Sequence, residues 1–497
     1  MEFNLKELIC LLPIIWLFLF SLVPVGMKAF RNGKELPGFA TLTWCLMGLL
    51  GSAGLTLSIV NGFWDMAGVN FLKIFSGMIV VDGIAIWTTY IIFVIVGFCL
   101  FLLYDSPATR DRQFSEHMFL ILNSTVGMAL LVMSNHLIMT FVAIELMSLS
   151  IYILIALNKE VTLSKESAFK YFVLGSMGSA IFLYGLAFIY GGAGTLSLQA
   201  VGTQASTLYE TSSIFRFGTI LTVLGFAFKV SLVPFHSWTP DVYQGAATPV
   251  TSVMSTAVKL ASFVGFLRFF MYADFHLIST DQFFSFLQWL AAATMVVGNV
   301  AALRQENFKR MLAYSGVAHS GYAFVGLIAG VFGGDGDGGT ASLLFYLFSY
   351  SVMTVGTFAL VNAFERTENT ILHISDLKGL GKKSPGLAFC LSLLLFSLAG
   401  LPPSVGFFGK VYIFAAAMEQ GMIWLTFIGV LSSLLGLYYY LRPIVVMYMA
   451  EGEPVMENPT AVFSRTMVYF SAFCVALFGL FSSKVFEFVQ NSVGASL

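Results

Sequence analysis

Charge is what this sequence has least of. Only 10% of its 497 residues are charged, 58% are hydrophobic and mean hydropathy is +0.86. A soluble globular protein carries roughly a quarter charged residues, so this composition belongs in a lipid bilayer. With 25 Lys and Arg against 26 Asp and Glu, net charge is −1, which excludes a nucleic-acid partner held by a basic surface. Cysteine is equally sparse. Its five copies, Cys10, Cys45, Cys99, Cys390 and Cys474, lie singly within apolar runs. There is no CxxC and no neighbouring histidine at ligand spacing, so they read as small apolar residues rather than disulfide, metal or iron–sulfur ligands. Nucleotide-binding signals are also missing. No GxGxxG occurs, and "GLGKKS" (379–384) lacks the first glycine of a phosphate loop and follows no strand. "GGDGDGG" (333–339) has no glutamate to complete a calcium loop and reads as a flexible turn.

What the chain does have is long apolar runs. The first, "LICLLPIIWLFLFSLVPVGM", is too long for a signal h-region and lacks a small-residue cleavage site, so it is expected to be a membrane helix. Segments of the length that spans a ~30 Å hydrocarbon core recur with short polar connectors. About fourteen are expected, roughly 8–27, 39–60, 78–103, 117–133, 136–157, 168–190, 214–232, 248–271, 283–303, 311–332, 341–363, 386–417, 422–449 and 466–489. The longest connectors, roughly 192–213 and 364–385, leave no room for a soluble domain. The fold class is therefore all-α and polytopic.

Cationic residues set the expected orientation, because cytoplasmic connectors retain positive charge. The odd-numbered connectors hold Lys28, Arg31, Lys34, Arg110, Arg112, Lys159, Lys165, Arg304, Lys309, Arg310, Arg366, Lys378, Lys382, Lys383 and Arg465. The even-numbered ones offer Lys73 and Arg216. Odd connectors should face the cytoplasm, with both termini on the other side. Segments 4–8 and 9–13 form matching five-helix blocks, and an odd number of helices inverts the second block relative to the first. The expected divisions are 1–116, 117–274 and 275–450 for the N-terminal helices and two repeats, and 451–497 for the C-terminal helix. In each block the fourth helix, segment 7 or segment 12, is broken by proline beside a lysine: "KVSLVPFHSWTP" and "LAGLPPSVGFFGK".

An ionisable side chain at the bilayer centre costs about 2.5–3.5 kcal/mol, so each one within a span is a functional candidate. Asp82, Glu145, Lys229, Lys259, His319 and Lys410 form such a series. Their summed cost, on the order of 10 kcal/mol or more, requires that they face one another or water inside the bundle. Glu145 is a carboxylate suited to bias a buried lysine, either as a structural ion pair or as a modulator of its protonation. His319 titrates near neutrality, and Ser315, Ser320 and Tyr322 beside it are candidates to complete a hydrogen-bonded chain. A broken helix exposes carbonyls and amides that lipid does not satisfy, so each break should line protein or a water-filled cavity. His236, Trp238 and Asp241 follow the first break and are expected nearer the non-cytoplasmic face, with Asp241 alternatively a helix cap. Arg268, Lys170 and Arg442 lie near segment ends and are expected to snorkel.

The stretches "AIELMSLSIY", "GFAFKVSLVPFHSWTPDVYQGAATPVT", "FKRMLAYSGVAHSGY" and "LAGLPPSVGFFGKVYIF" resemble the antiporter-like membrane subunits of respiratory complex I, the proton-pumping NADH–quinone oxidoreductase. The resemblance runs over roughly residues 78–450 and is nearest to the subunit N branch. Subunit M has glutamate where Lys410 stands, and subunit L continues into a long lateral helix. The resemblance implies fourteen helices with two inverted repeats. It also implies proton-translocating roles for Glu145, Lys229, Lys259 and Lys410, and a bacterial inner-membrane location. Neighbouring membrane-arm subunits would be the partners. NADH, FMN, iron–sulfur clusters and quinone would belong to those partners, with no cofactor and no metal on this chain. The alternative is a subunit of a multisubunit sodium/proton antiporter or a membrane-bound hydrogenase, built on the same helices.

Overall fold

The computed structural model describes residues 5–60, 71–110, 113–158, 161–272, 281–332, 337–365, 372–454 and 461–494. Arg112, Lys159 and Arg366, counted above among the connector cations, and most of the "GGDGDGG" turn lie outside them. In chain order the elements begin with α1 (Leu5–Phe30), α2 (Gly38–Val60), a hairpin of β1 (Phe71–Ile74) and β2 (Ile79–Asp82), α3 (Gly83–Asp105) and α4 (Pro107–Arg110). Next come α5 (Phe114–Val132), α6 (Leu137–Ala156), α7 (Thr162–Ala193), α8 (Leu198–Thr211), α9 (Ser213–Lys229), α10 (Trp238–Gly245) and α11 (Thr248–Val253). A π-helical turn, Met254–Val258, joins α11 to α12 (Lys259–Tyr272), and α13 (Asp281–Leu303), α14 (Phe308–Phe332) and α15 (Asp337–Phe364) follow. The last are α16 (Leu380–Lys383), α17 (Pro385–Ala399), α18 (Val405–Glu419), α19 (Ile423–Met449), α20 (Val462–Leu480) and α21 (Ser482–Gly494).

Among the described residues, twelve helices are long and apolar enough to cross a membrane. The two expected spans missing from that number are segments 7 and 12, the broken ones, whose pieces α9, α17 and α18 are only 17, 15 and 15 residues long. Two further details differ from the sequence reading. Segment 3 does not begin as helix, because Ile79–Asp82 pairs antiparallel with Phe71–Ile74. Phe75, Ser76 and Gly77 turn that hairpin at positive φ, and Val80 N–H donates to Met133 O at 2.8 Å on the α5–α6 turn. Segment 14 ends at Leu480, and α21 continues after a break at Phe481.

The connectors sort by parity. At one end the hairpin touches Ser134, and His136 bridges Ser197, which brings connectors 2–3, 4–5 and 6–7 together. At the other, Lys28 pairs with Glu116, Asn307 bridges His373, and Asp105 accepts from Ser464. These contacts pair even connectors with even and odd with odd among the described residues. The helix at its centre is the one running from Thr248 to Met271, whose apolar window is wholly buried. Backbones approach closely around it, since hydrocarbon gives no hydrophobic drive between helices and small residues permit contact. A Cβ on Gly185 of α7 would lie 2.7 Å from Thr222 N, and one on Gly218 of α9 2.7 Å from Ile189 N. That contact fixes α9, and with it Lys229, against α7.

Candidate functional site

Lys229 is the last residue of α9, where a cation is favoured by the helix dipole. The helix stops because Ser231 adopts φ 62° and Leu232 N–H folds back to Ala227 O at 2.8 Å, a left-handed closure of the kind usually made by glycine. Protein groups satisfy several polar groups of the break, as a membrane interior demands, while His236 Nδ1 is buried there without a hydrogen-bond partner among the described residues. Trp238 Nε1 donates to Phe228 O at 3.2 Å, Thr239 Oγ1 to Ser231 Oγ at 2.8 Å, and Val233 N–H to Thr294 Oγ1 at 3.0 Å. Lys229 Nζ donates to Ser148 Oγ at 2.9 Å. Ser148 stands one turn after Glu145 on α6, and Glu145 accepts from the Ser179 hydroxyl of α7. Glu145 and Lys229 are thus neighbours through Ser148.

The second break is built differently. Lys410 belongs to α18, after its break, whereas Lys229 precedes its own. It reaches back to the exposed carbonyl end of α17, donating to Ala399 O at 2.8 Å and Leu398 O at 3.2 Å, and also to Ser433 Oγ at 2.8 Å. Both lysines therefore sit at the carbonyl end of the first half-helix, by opposite routes. Gly400 makes this possible twice over. Its φ is 88°, and a Cβ there would meet Lys410 Nζ at 3.0 Å. Gly400→Ala should displace the ammonium from its carbonyls and add about 1 kcal/mol of backbone strain. Coupled activity should then fall toward that of Lys410→Ala, and a Gly400→Ala protein with unaltered activity would remove glycine from this account.

Lys259 follows the π-helical turn, a widening that recurs at functional positions. Its Nζ donates to Gly316 O of α14 at 2.7 Å and lies 5.3 Å from the Tyr350 ring centre. Three residues along α14, His319 Nδ1 is 2.6 Å from Tyr346 Oη and its Nε2 3.0 Å from Tyr440 Oη. Tyr440 also bonds the Ser315 hydroxyl. A neutral imidazole holds one donor and one acceptor nitrogen, so Ser315, Tyr440, His319 and Tyr346 form one continuous hydrogen-bonded chain. Three residues further, the Tyr322 ring lies 5.2 Å from Lys410 Nζ, and Tyr322 Oη bonds Asn299 and Ser432, each at 3.0 Å. Helix α14 thereby carries contacts from Lys259 at Gly316 to Lys410 at Tyr322, with His319 between. Lys229, Lys259, His319 and Lys410 are all buried, at 7, 3, 3 and 7% exposure. Tyr440→Phe should interrupt the chain between Ser315 and His319 and lower coupled turnover several-fold, less than the about 10²–10⁴-fold of a directly reacting proton-transfer group; equal turnover in mutant and parent would show that the chain is only packing.

Other expectations are corrected. Asp82 does not join this series. It caps α3 through Ala85 N–H at 2.8 Å and pairs with Arg268, with Oδ1 2.6 Å from Nη2 and Oδ2 2.9 Å from Nη1. Arg268, expected to snorkel, is instead 1% exposed and also donates to Val132 O. Asp241, expected nearer the face opposite the odd connectors, contacts Lys170 at 2.8 Å and Arg310 at 2.6 Å, so it lies at the odd-connector end. Helix α9 runs toward that end and α10 continues beyond the break, which is the physical reason. Ser320 donates to Gly316 O at 3.1 Å rather than extending the histidine's chain. The residues the sequence reading missed are Ser148, Tyr346, Tyr350, Ser433 and Tyr440. For the three phenols the signal was tyrosine inside apolar helices, since a buried phenol needs a partner; the two serines carried none.

The chain is similar to proteins of one membrane family. Residues 134–436 match the NADH:quinone oxidoreductase/Mrp antiporter transmembrane family. NADH-quinone oxidoreductase subunit N of Bdellovibrio bacteriovorus is 46% identical over 490 residues, 99% of each chain, and that of Nitrosomonas europaea is 36% identical over 100% of each. A chain of respiratory complex I from Thermus thermophilus superposes with a TM-score of 0.79 at 30% identity, covering 96% of this chain and 98% of that one. The Mrp complex of Dietzia sp. shares the fold alone, with a TM-score of 0.82 at 18% identity and coverage of 99% and 97%. With relatives this similar over their whole length, and with lysines at both helix breaks, the chain belongs to the NADH-quinone oxidoreductase subunit N family.

Proposed function

We propose that this chain is a proton-translocating membrane-arm subunit of an NADH–quinone oxidoreductase. NADH, FMN, iron–sulfur clusters and quinone are handled by partner subunits, and this chain spends the released energy on moving protons through Glu145, Lys229, Lys259, His319 and Lys410. The observation that carries the reading is the sequence of contacts along α14, which links Lys259 to His319 and onward to Lys410. Moving one charge against 100 mV costs about 2.3 kcal/mol, the scale of a shift of under two pKa units in one buried group. Glu145 beside the Ser148-bound ammonium of Lys229 supplies the charge that biases the first lysine.

Each broken helix counts as one crossing, giving fourteen spans and two inverted five-helix repeats, approximately 117–274 and 275–450. The odd-connector end faces the cytoplasm of a bacterial cell, because that end gathers the connector lysines and arginines. Purification through a tag on this chain should yield an assembly that contains flavin and iron–sulfur clusters and reduces quinone with NADH. Recovery of an assembly without NADH oxidation that exchanges sodium for protons would overturn the proposal in favour of an antiporter.

A further inference from the structure

A buried ion pair lies apart from the lysine series, at the odd-connector end. Glu365, just past α15, and Lys309 of α14 are 6 and 7% exposed, and Glu365 Oε1 is 3.5 Å from Lys309 Nζ. The Thr248 hydroxyl donates to Glu365, and Lys309 Nζ donates to Ala246 O at 2.8 Å. Thr248 opens the central helix, and its hydroxyl is the first of a series. Thr248, Thr251, Ser252, Ser255 and Thr256 are all buried and recur at i, i+3, i+4, i+7 and i+8, the spacing of one helix face. Lys259 comes one turn later, after the π-helical turn. A desolvated ion pair contributes little net stability compared with apolar residues of the same size. Nothing about packing asks for one where a hydroxyl-lined face begins.

We propose that Glu365, held against Lys309, is the uptake group for protons that reach Lys259 along the hydroxyl face of the central helix. The inference rests on the proton-translocating reading above. A proton from the odd-connector side neutralises the Glu365 carboxylate. It then passes through the hydroxyls and intervening water to the neutral amine of Lys259, and the carboxylate is restored. Each hydroxyl can accept one proton while giving up another, and the path from Thr248 to Lys259 is about 16 Å of helix. In the arrangement described here the relay is closed, since Thr251 donates to Tyr243 O at 3.1 Å and Ser255 and Thr256 donate to Ser252 O at 3.1 and 2.5 Å. Rotation of these hydroxyls opens it.

The test uses the whole complex in sealed vesicles. Glu365→Gln should lower proton translocation about a hundredfold, the low end for a lost proton-transfer group, while NADH oxidation by a soluble electron acceptor is unchanged. Glu365→Asp should recover most of the loss. Glu365→Gln combined with Lys309→Met removes the cation left unpaired and should stay slow, because a neutral pair cannot take up protons. Thr251→Val, which leaves the pair intact, should also slow translocation. Restoration of full translocation by the neutral pair would make the residues structural and overturn the inference, as would normal translocation in both Glu365→Gln and Thr251→Val. If Lys259→Ala is defective while those two are normal, only the uptake path fails; if Lys259→Ala is normal as well, the proton-translocating reading falls with it.

Discussion

Lys229→Ala should cut coupled proton translocation by about a hundredfold or more, the effect of deleting an essential proton-transfer group, in a complex that still assembles. The lysine ends α9 and its ammonium is held by Ser148, so truncation takes one donor from that hydroxyl, and the Glu145 carboxylate that loses its neighbouring cation keeps the Ser179 hydroxyl as a donor. Assembly should therefore survive. Lys229→Arg provides the sharper contrast. Arginine keeps the positive charge beside Glu145 but does not release its proton in a protein, so a charge that only anchors the fold would be preserved while a proton carrier would be lost. Translocation is expected to be as poor in Lys229→Arg as in Lys229→Ala. Parent-like pumping in the arginine variant would reduce Lys229 to a structural cation.

The largest effect on stability is expected at Arg268. Arg268→Ala leaves the Asp82 carboxylate at 0% exposure without its two guanidinium bonds and removes the donor to Val132 O. Breaking one side of a buried pair costs about 3–5 kcal/mol, so the heat-inactivation midpoint of the purified complex should drop sharply. Combining Arg268→Met with Asp82→Asn removes both charges and retains an oxygen to cap α3 at Ala85, and most of the loss should be regained. Translocation per surviving complex should be unchanged, because the pair stands apart from the lysine series. Equal heat stability of Arg268→Ala and the parent would show that the pair contributes nothing.

Lys229, Lys259, His319 and Lys410 were identifiable because an ionisable group inside an apolar run is costly wherever the helix sits. Asp82 passed the same test and did not belong with them, since the run containing it opens with a strand and only the fold brings Arg268 to it. Arg268 was misread for a related reason. Nearness to the end of a run suggests access to water, but this run is the central helix and its end is enclosed by α5 and the hairpin strand β2. Asp241 was placed at the wrong end because a break hides how far the chain continues in its original direction.

The sequence by itself determined the class of the protein, the existence and approximate place of its apolar spans, the lysine at each break and the charge asymmetry between connectors. All of these follow from the free energy of placing individual residues in hydrocarbon, which is local and additive enough to read along the chain. Only the tertiary structure decided which polar groups meet. The phenols of Tyr346 and Tyr440 lie 27 and 121 residues from His319, and the carbonyls that hold Lys410 become available only where α17 ends. Hydrogen bonds act over about 3 Å, and spacing along the chain carries no information at that scale for residues on different helices.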